Sequence, residues 1–194
     1  MNELSFFLER YDPLHNFYLS GFWEMVSHEQ MRQRPHPKVN SIAWNLWHIT
    51  RVEDAGLNRF VTDGTQVLDD GGWLEKMGLP WRHHGTEMSL AEVDELSQKI
   101  DLSALQGYSQ AVQARTRQIL PTLELQDLDT KMEEPRVRQI IVDEGLAHSN
   151  PEGFIQNYTG WSRMKCLMSF GLTHSWQHLG EMEVLATLVG VEFE

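Results

Sequence analysis

Apolar positions recur with a helical period over four long stretches of the chain. In the first, from about Pro13 to Ser27, Leu14, Phe17, Gly21, Phe22 and Met25 share one stripe. Pro13 suits a first helical turn, where no amide donor is needed. HEQMRQ adds a short helical turn, and Pro35 and Pro37 end the pattern. The second stretch runs from about Ser41 to Val61, with Asn40 or Ser41 as N-cap. Ile42, Trp44, Leu46, Ile49, Val52, Ala55 and Phe60 fall in one apolar arc, with Thr50, Asp54 and Asn58 opposite, as in an amphipathic helix.

Residues 62–88 contain TDGT, DDGG and PWRHHG and read as loop, with one short helix around Gly72–Met77. Ser89 and Glu92 form a capping-box pair that starts a short helix over LAEVDELSQ. The third long helix spans about Asp101 to Leu120, carries Leu105, Tyr108, Val112 and Ile119 on its stripe, and stops at Pro121. Residues 122–158 form a connection of a length that usually carries its own structure or a function; RQIIVDEGL fits a strand or a short helix. The fourth helix runs from about Trp161 to Leu188, with Gly190 as its stop. Met164, Leu167, Met168, Gly171, Met182, Leu185, Ala186 and Val189 share one face, and Lys165, Ser169, Thr173, Gly180 and Glu183 the other. Four such helices predict an all-α protein: one domain over residues 1–194, a four-helix bundle with a long crossover connection and short extra helices.

Composition narrows the function. With 41% hydrophobic and 23% charged residues among 194, the chain is ordinary globular protein. A net charge of -12 argues against nucleic-acid backbones and anionic membranes as partners. No run approaches the roughly 18 apolar residues of a membrane span. Cys166 is the single cysteine, so no intrachain disulfide forms. The first residues lack a basic segment followed by an apolar run, and a cytoplasmic location is expected.

Candidate chemistry lies in the nine histidines. His15, His28, His36, His83, His84 and His148 read as histidines without a special role, those in the loops exposed. His174 and His178 differ. Four residues apart in one helix, their side chains lie about 40° apart on neighbouring turns. Both fall in the arc of Leu167, Gly171, Met182 and Leu185, aimed at the bundle interior. His48 lies in the apolar arc of the second helix, between Trp44 and Val52. Three buried imidazoles without partners would cost several kcal/mol, and a shared divalent ion gives all three a partner. Glu181, one turn beyond His178, reads as a fourth ligand, an orienting group, a base acting on bound water, or a plain surface carboxylate. Gly171 either leaves room for metal or substrate or permits close helix packing. Arg51 and Arg115 pair structurally with acids or clamp a carboxylate. Tyr108 is core with a bonded hydroxyl. Cys166, about 80° round the helix from His174, is a packing thiol.

SIAWNLWHITRVED, with His48, resembles the second-helix motif of the DinB-like superfamily, and THSWQHLGEM, with His174 and His178, its fourth-helix motif. ARTRQIL and EVLATLVG are similar to other members, so the resemblance covers nearly the whole chain. It implies a four-helix bundle whose three histidines bind a divalent metal, typically zinc or nickel. Better-understood members are thiol-dependent S-transferases using bacillithiol or mycothiol, and a mycothiol-dependent maleylpyruvate isomerase. A small-molecule thiol and an electrophile are therefore the expected partners, and a homodimer the expected assembly. The alternatives are a metal-dependent hydrolase using metal-bound water with Glu181 as proton shuttle, and a non-catalytic module in which metal staples two helices.

Overall fold

The computed structural model describes residues 3–192; residues 1, 2, 193 and 194 of the expected domain lie outside the described residues. Helix α1 covers residues 3–25 in three continuous parts, Glu3–Pro13, a π-helical turn Leu14–Leu19, and Ser20–Met25. Pro13 thus sits inside the helix, not in its first turn. The wider π turn shifts the phase of everything after it. Phe7, Tyr11, Leu14, Leu19 and Phe22 are buried, while Phe17 and Met25, expected on the same stripe, face solvent. Helix α2, His28–Arg32, starts from a capping box of Ser27 and Gln30.

Helix α3 covers residues 42–61, as Ile42–Ala55 continued by a π turn, Gly56–Val61. The Ser41 hydroxyl caps it by accepting the Trp44 N–H at 2.9 Å. All of Ile42–Ala55 is buried, so the expected polar face does not meet water. Helices α4 (Val67–Asp70) and α5 (Trp73–Met77) follow, then α6 (Leu90–Lys99), with the Ser89–Glu92 capping box, and α7 (Leu102–Ile119). The polar side of α3 is covered by the α4 segment and α7, and its groups find partners there. Asp54 accepts the N–H groups of Val67 (2.8 Å) and Leu68 (2.9 Å), the Tyr108 hydroxyl (2.6 Å) and Arg51 (3.3 Å). Arg51 is fully buried and also donates to Gln66 Oε1 at 2.9 Å and the Arg82 carbonyl at 2.6 Å. Arg51 Nε and Asn58 Oδ1 are left without a partner, but the pairing of the remaining groups makes the buried polar face tolerable.

The long connection after α7 holds α8, residues 134–143, built of Glu134–Arg138 and a π turn Gln139–Asp143, so RQIIVDEGL is helical through Asp143, and α9, Pro151–Tyr158. Helix α10 covers residues 163–188: Arg163–Met168, a π turn Ser169–Thr173, and His174–Leu188. Gly190, with φ +83°, takes the left-handed conformation just past its end. There is no strand among the described residues; Lys131 and Ser162 form an isolated bridge.

Helices α1, α3, α7 and α10 form a four-helix bundle. Asn45 meets His178 while Gly56 meets Phe170, so α3 and α10 are antiparallel. Asp12 pairs with Arg117, while Trp23 shares a groove with Gln106, so α1 and α7 are antiparallel. Phe7 lies at Gly171 and Tyr18 at Trp176, so α1 and α10 run together. Helices α3 and α7 therefore point the same way, and residues 62–101 are the crossover. At Gly171 a Cβ would lie 2.7 Å from the Phe7 ring. The glycine permits close approach of α1 and α10; it does not open space for a ligand.

Candidate metal centre

The antiparallel packing of α3 on α10 brings the His48 ring to 4.8 Å from His174 and 4.9 Å from His178, centre to centre. The rings of His174 and His178 are 4.6 Å apart. One ligand nitrogen from each lies within 4.8 Å of the others, which positions the three histidines to bind a metal ion.

The surroundings fit a cation. His48 Nδ1 donates to the carbonyl of His84. His178 Nδ1 meets Asn45 Oδ1 and Glu181 Oε2, each at 2.9 Å. These acceptors hold the proton on Nδ1 and leave the lone pair on Nε2, the usual arrangement behind a metal-binding histidine. His174 Nδ1 is buried with no hydrogen-bond partner, so this ring is free to present either nitrogen. Burial, and then the neighbouring His174 and His178, hold His48 well below the usual histidine range. Burial, and then His178, push His174 down to about 3. Both rings are neutral at pH 7 and offer lone pairs, as a metal requires.

Two of these groups escape a reading by sequence. Asn45 is fully buried and sits one turn before His48 in α3; a buried amide there was the available signal. The His84 carbonyl carries no signal at all, because the fold of the 62–88 loop decides where a backbone oxygen points. His83 and His84 were expected to be exposed, but both are buried, since that loop packs over α3. Burial pushes His84 down to about 3 and His83 to about 4. His15 is buried as well, with Nε2 3.3 Å from Glu53; Glu53 also accepts from Tyr11 (2.5 Å) and Thr116 (2.7 Å).

Glu181 is exposed and lies at the outer nitrogen of His178. Arg51 is consumed by Asp54 and Tyr108, and Arg115 pairs with Asp70 at 2.9 Å on the surface. Tyr108 is core, with its hydroxyl bonded. Cys166 is a buried free thiol that burial pushes up to about 12.

Two recesses flank the cluster. An open groove of about 520 Å³ beside His178 is lined by Lys38, Asn45, Glu181, Val184 and Leu188. A small cavity of about 50 Å³ reaches His174 from the other side.

Removing Asn45 tests its part in the site. Asn45→Ala should weaken zinc binding about 10- to 100-fold, as loss of an orienting partner typically does, in a competition titration against a chromophoric chelator. An unchanged affinity would show that Glu181 alone orients His178.

Acid provides a second test. An unfolded histidine takes up its proton near 6.5, whereas folded His84 and His174 do so only at about 3. Between those values the unfolded chain binds more protons, so stability falls as pH falls. The metal-free protein should show a falling melting temperature from pH 7 to pH 4, with a slope up to about 1.4 kcal/mol per pH unit for each such group. A flat profile would contradict the buried, neutral state of these rings.

Three histidines converge from two helices of the bundle and are positioned to bind a metal ion. The chain belongs to the DinB superfamily, whose family model matches residues 18–182. A crystal structure described as the conserved protein of a locus from Enterococcus faecalis shares the fold, with a TM-score of 0.70 at 18% identity over 97% of this chain and 98% of that one. No curated protein matches the chain in sequence. No helix among the described residues is long and apolar enough to cross a membrane.

Proposed function

We propose that this protein is a metal-dependent S-transferase that takes a low-molecular-weight thiol and an electrophile, with zinc or nickel held by His48, His174 and His178. The observation that carries this reading is the histidine cluster, with its outward nitrogens tied to the His84 carbonyl, Asn45 and Glu181. When bound, a divalent ion supplies the positive charge that lowers the pKa of a coordinated thiol. The protein's own groups orient and shield. Asn45 and Glu181 fix the His178 ring, and the His84 carbonyl fixes His48. Val52, Phe60 and Phe170 keep water from the His174 side. The open groove at Lys38 and Asn45 gives a hydrophilic thiol its approach, while the small cavity receives the electrophile.

A thiol fits better than water as the nucleophile. A hydrolytic site needs a base on the reacting side of the metal. Glu181 sits behind the His178 ring and acts as a positioning residue; Glu53 and Asp54 are committed to the core. A homodimer is part of the same proposal. Phe17, Tyr18 and Trp176 are exposed aromatic residues on α1 and α10, the kind of surface that a second copy would cover.

Cobalt-substituted protein tests the reading. Titration with cysteine, glutathione, bacillithiol and mycothiol should produce a sulfur-to-cobalt charge-transfer band with at least one of them. If none perturbs the cobalt spectrum, and ester or lactone probes are hydrolysed without thiol, the hydrolase takes its place. No turnover of either kind, with strong thermal stabilisation by metal, would leave a metal-stapled binding module.

A further inference from the structure

The groove beside His178 is lined by Asn45 and Glu181, the two acceptors behind that ring, and by no histidine. With Nε2 turned to a metal, His178 carries one proton, on Nδ1, yet both acceptors lie 2.9 Å away. Asn45 is fully buried, and its own Nδ2 donates to the Ser41 carbonyl at 3.1 Å. Glu181 is exposed and pairs with no lysine or arginine among the described residues. It is therefore the acceptor that can be given up, because Asn45 alone satisfies the proton. Lys38 is the other charged residue on the wall. It is exposed, and its ammonium group has no partner among the described residues. Val39, Val184, Leu185 and Leu188 add an apolar stretch, in which Val184 is 60% and Leu188 62% exposed. Gly180 also lines the groove, inside the last segment of α10, and a Cβ there would meet nothing within 4 Å. Glycine weakens a helix; no contact requires one here, and its missing side chain widens the groove. The volume of about 520 Å³ is that of a small-molecule site.

We propose that this groove binds a free α-amino acid with an apolar side chain. Its ammonium group pairs with Glu181, its carboxylate with Lys38, and its side chain lies against Val184 and Leu188 beside Gly180. The exposed ends of Lys38 and Glu181 can close on the adjacent charges of one zwitterion. A ligand with a single charge leaves the other group desolvated and unpaired. Once Glu181 turns to the ligand, Asn45 holds His178 alone, so occupancy of the groove is felt at the metal centre. Binding rests on the groove and not on the transferase reading. Only one consequence rests on that reading: the amino acid competes with a thiol that enters by the same groove.

The test titrates L-norleucine, hexanoate, pentylamine and glycine into zinc-loaded protein carrying ¹⁵N-labelled histidine, with no thiol present. Hexanoate lacks the ammonium group, pentylamine the carboxylate, and glycine the side chain. Norleucine should bind one to one and at least about threefold tighter than each of the others, as an exposed charge pair allows. It should also shift the His178 Nδ1 resonance. Glu181→Gln keeps an acceptor for His178 but removes the charge, and should abolish the preference over hexanoate. Lys38→Met should abolish the preference over pentylamine. Gly180→Leu fills the groove and should abolish binding, with zinc content and the melting curve as checks on folding. No saturable norleucine binding, equal affinities, an unmoved His178 signal, or binding that survives Gly180→Leu would each overturn the proposal. Norleucine binding by a protein that transfers no thiol would sink the transferase reading alone. Thiol transfer by a protein that ignores norleucine would sink this one alone.

Discussion

His48→Ala is expected to empty the metal centre while the bundle stays folded. His48 is the one member of the histidine cluster that comes from α3, and without it His174 and His178 would remain as a two-nitrogen clip on α10. Structural zinc sites bind with roughly 10–16 kcal/mol over four ligands, about 3 kcal/mol for each, so one lost ligand weakens binding on the order of a hundredfold. Dialysed protein should therefore fall from one metal per chain to a small fraction of that, read by elemental analysis. The cost to the fold is modest: the His84 carbonyl loses its donor, about 1 kcal/mol, and Trp44 loses the ring stacked 4.5 Å from its own. Circular dichroism should be unchanged. Full metal content in this variant would mean that the metal lies elsewhere. The effect should exceed that of Asn45→Ala, because Asn45 acts only through His178.

The largest stability effect is expected far from the metal, at Asp54. This carboxylate is fully buried, as is Arg51. Asp54→Ala strips Arg51 of its counter-charge and leaves the amides of Val67 and Leu68 without an acceptor. Breaking a buried pair in this way costs about 3–5 kcal/mol, which lowers the melting temperature by roughly 10 °C in a chain of this size. Asp54→Asn should fall between, since an amide oxygen still accepts but carries no charge. The double variant Arg51→Met/Asp54→Leu should be more stable than Asp54→Ala, because it removes both charges together. Thermal denaturation of the three variants settles the order. A loss below about 1 kcal/mol for Asp54→Ala would show that the network adds little beyond packing.

That network also marks a limit of helical periodicity. Thr50, Asp54 and Asn58 form a polar face in projection, and such a face ordinarily meets water. Here the crossover after α3 and the helix α7 lie over it, and nothing local to residues 42–61 states that they will. The stripe of α1 fails for a different reason. A π turn over Leu14–Leu19 adds a residue to the coil, which a fixed angular step cannot anticipate; Leu19 is buried in place of Phe17, and Phe22 stays buried because the apolar arc is broad enough to hold it in either phase. His83 and His84 sit in a polar stretch between glycines and prolines, which reads as exposed loop; packing over α3 buries them.

The sequence by itself determined the four long helices, though not the first ten residues of α1 or the short helices α4 and α9 of the connections, several caps, and the direction of three side chains. Hydrogen bonding within a helix is local, so Ser41, Ser89 and Gly190 mark ends by their own chemistry. The fixed angle per residue places His174 and His178 on one face. What only the tertiary structure decided is everything that depends on a neighbour distant in the chain. Antiparallel packing of α3 on α10 sets the distance from His48 to the other two histidines. The fold of the 62–88 loop supplies a backbone oxygen to His48. Metal coordination would act over a few ångströms between residues more than a hundred positions apart, and a one-dimensional pattern holds directions but not those separations.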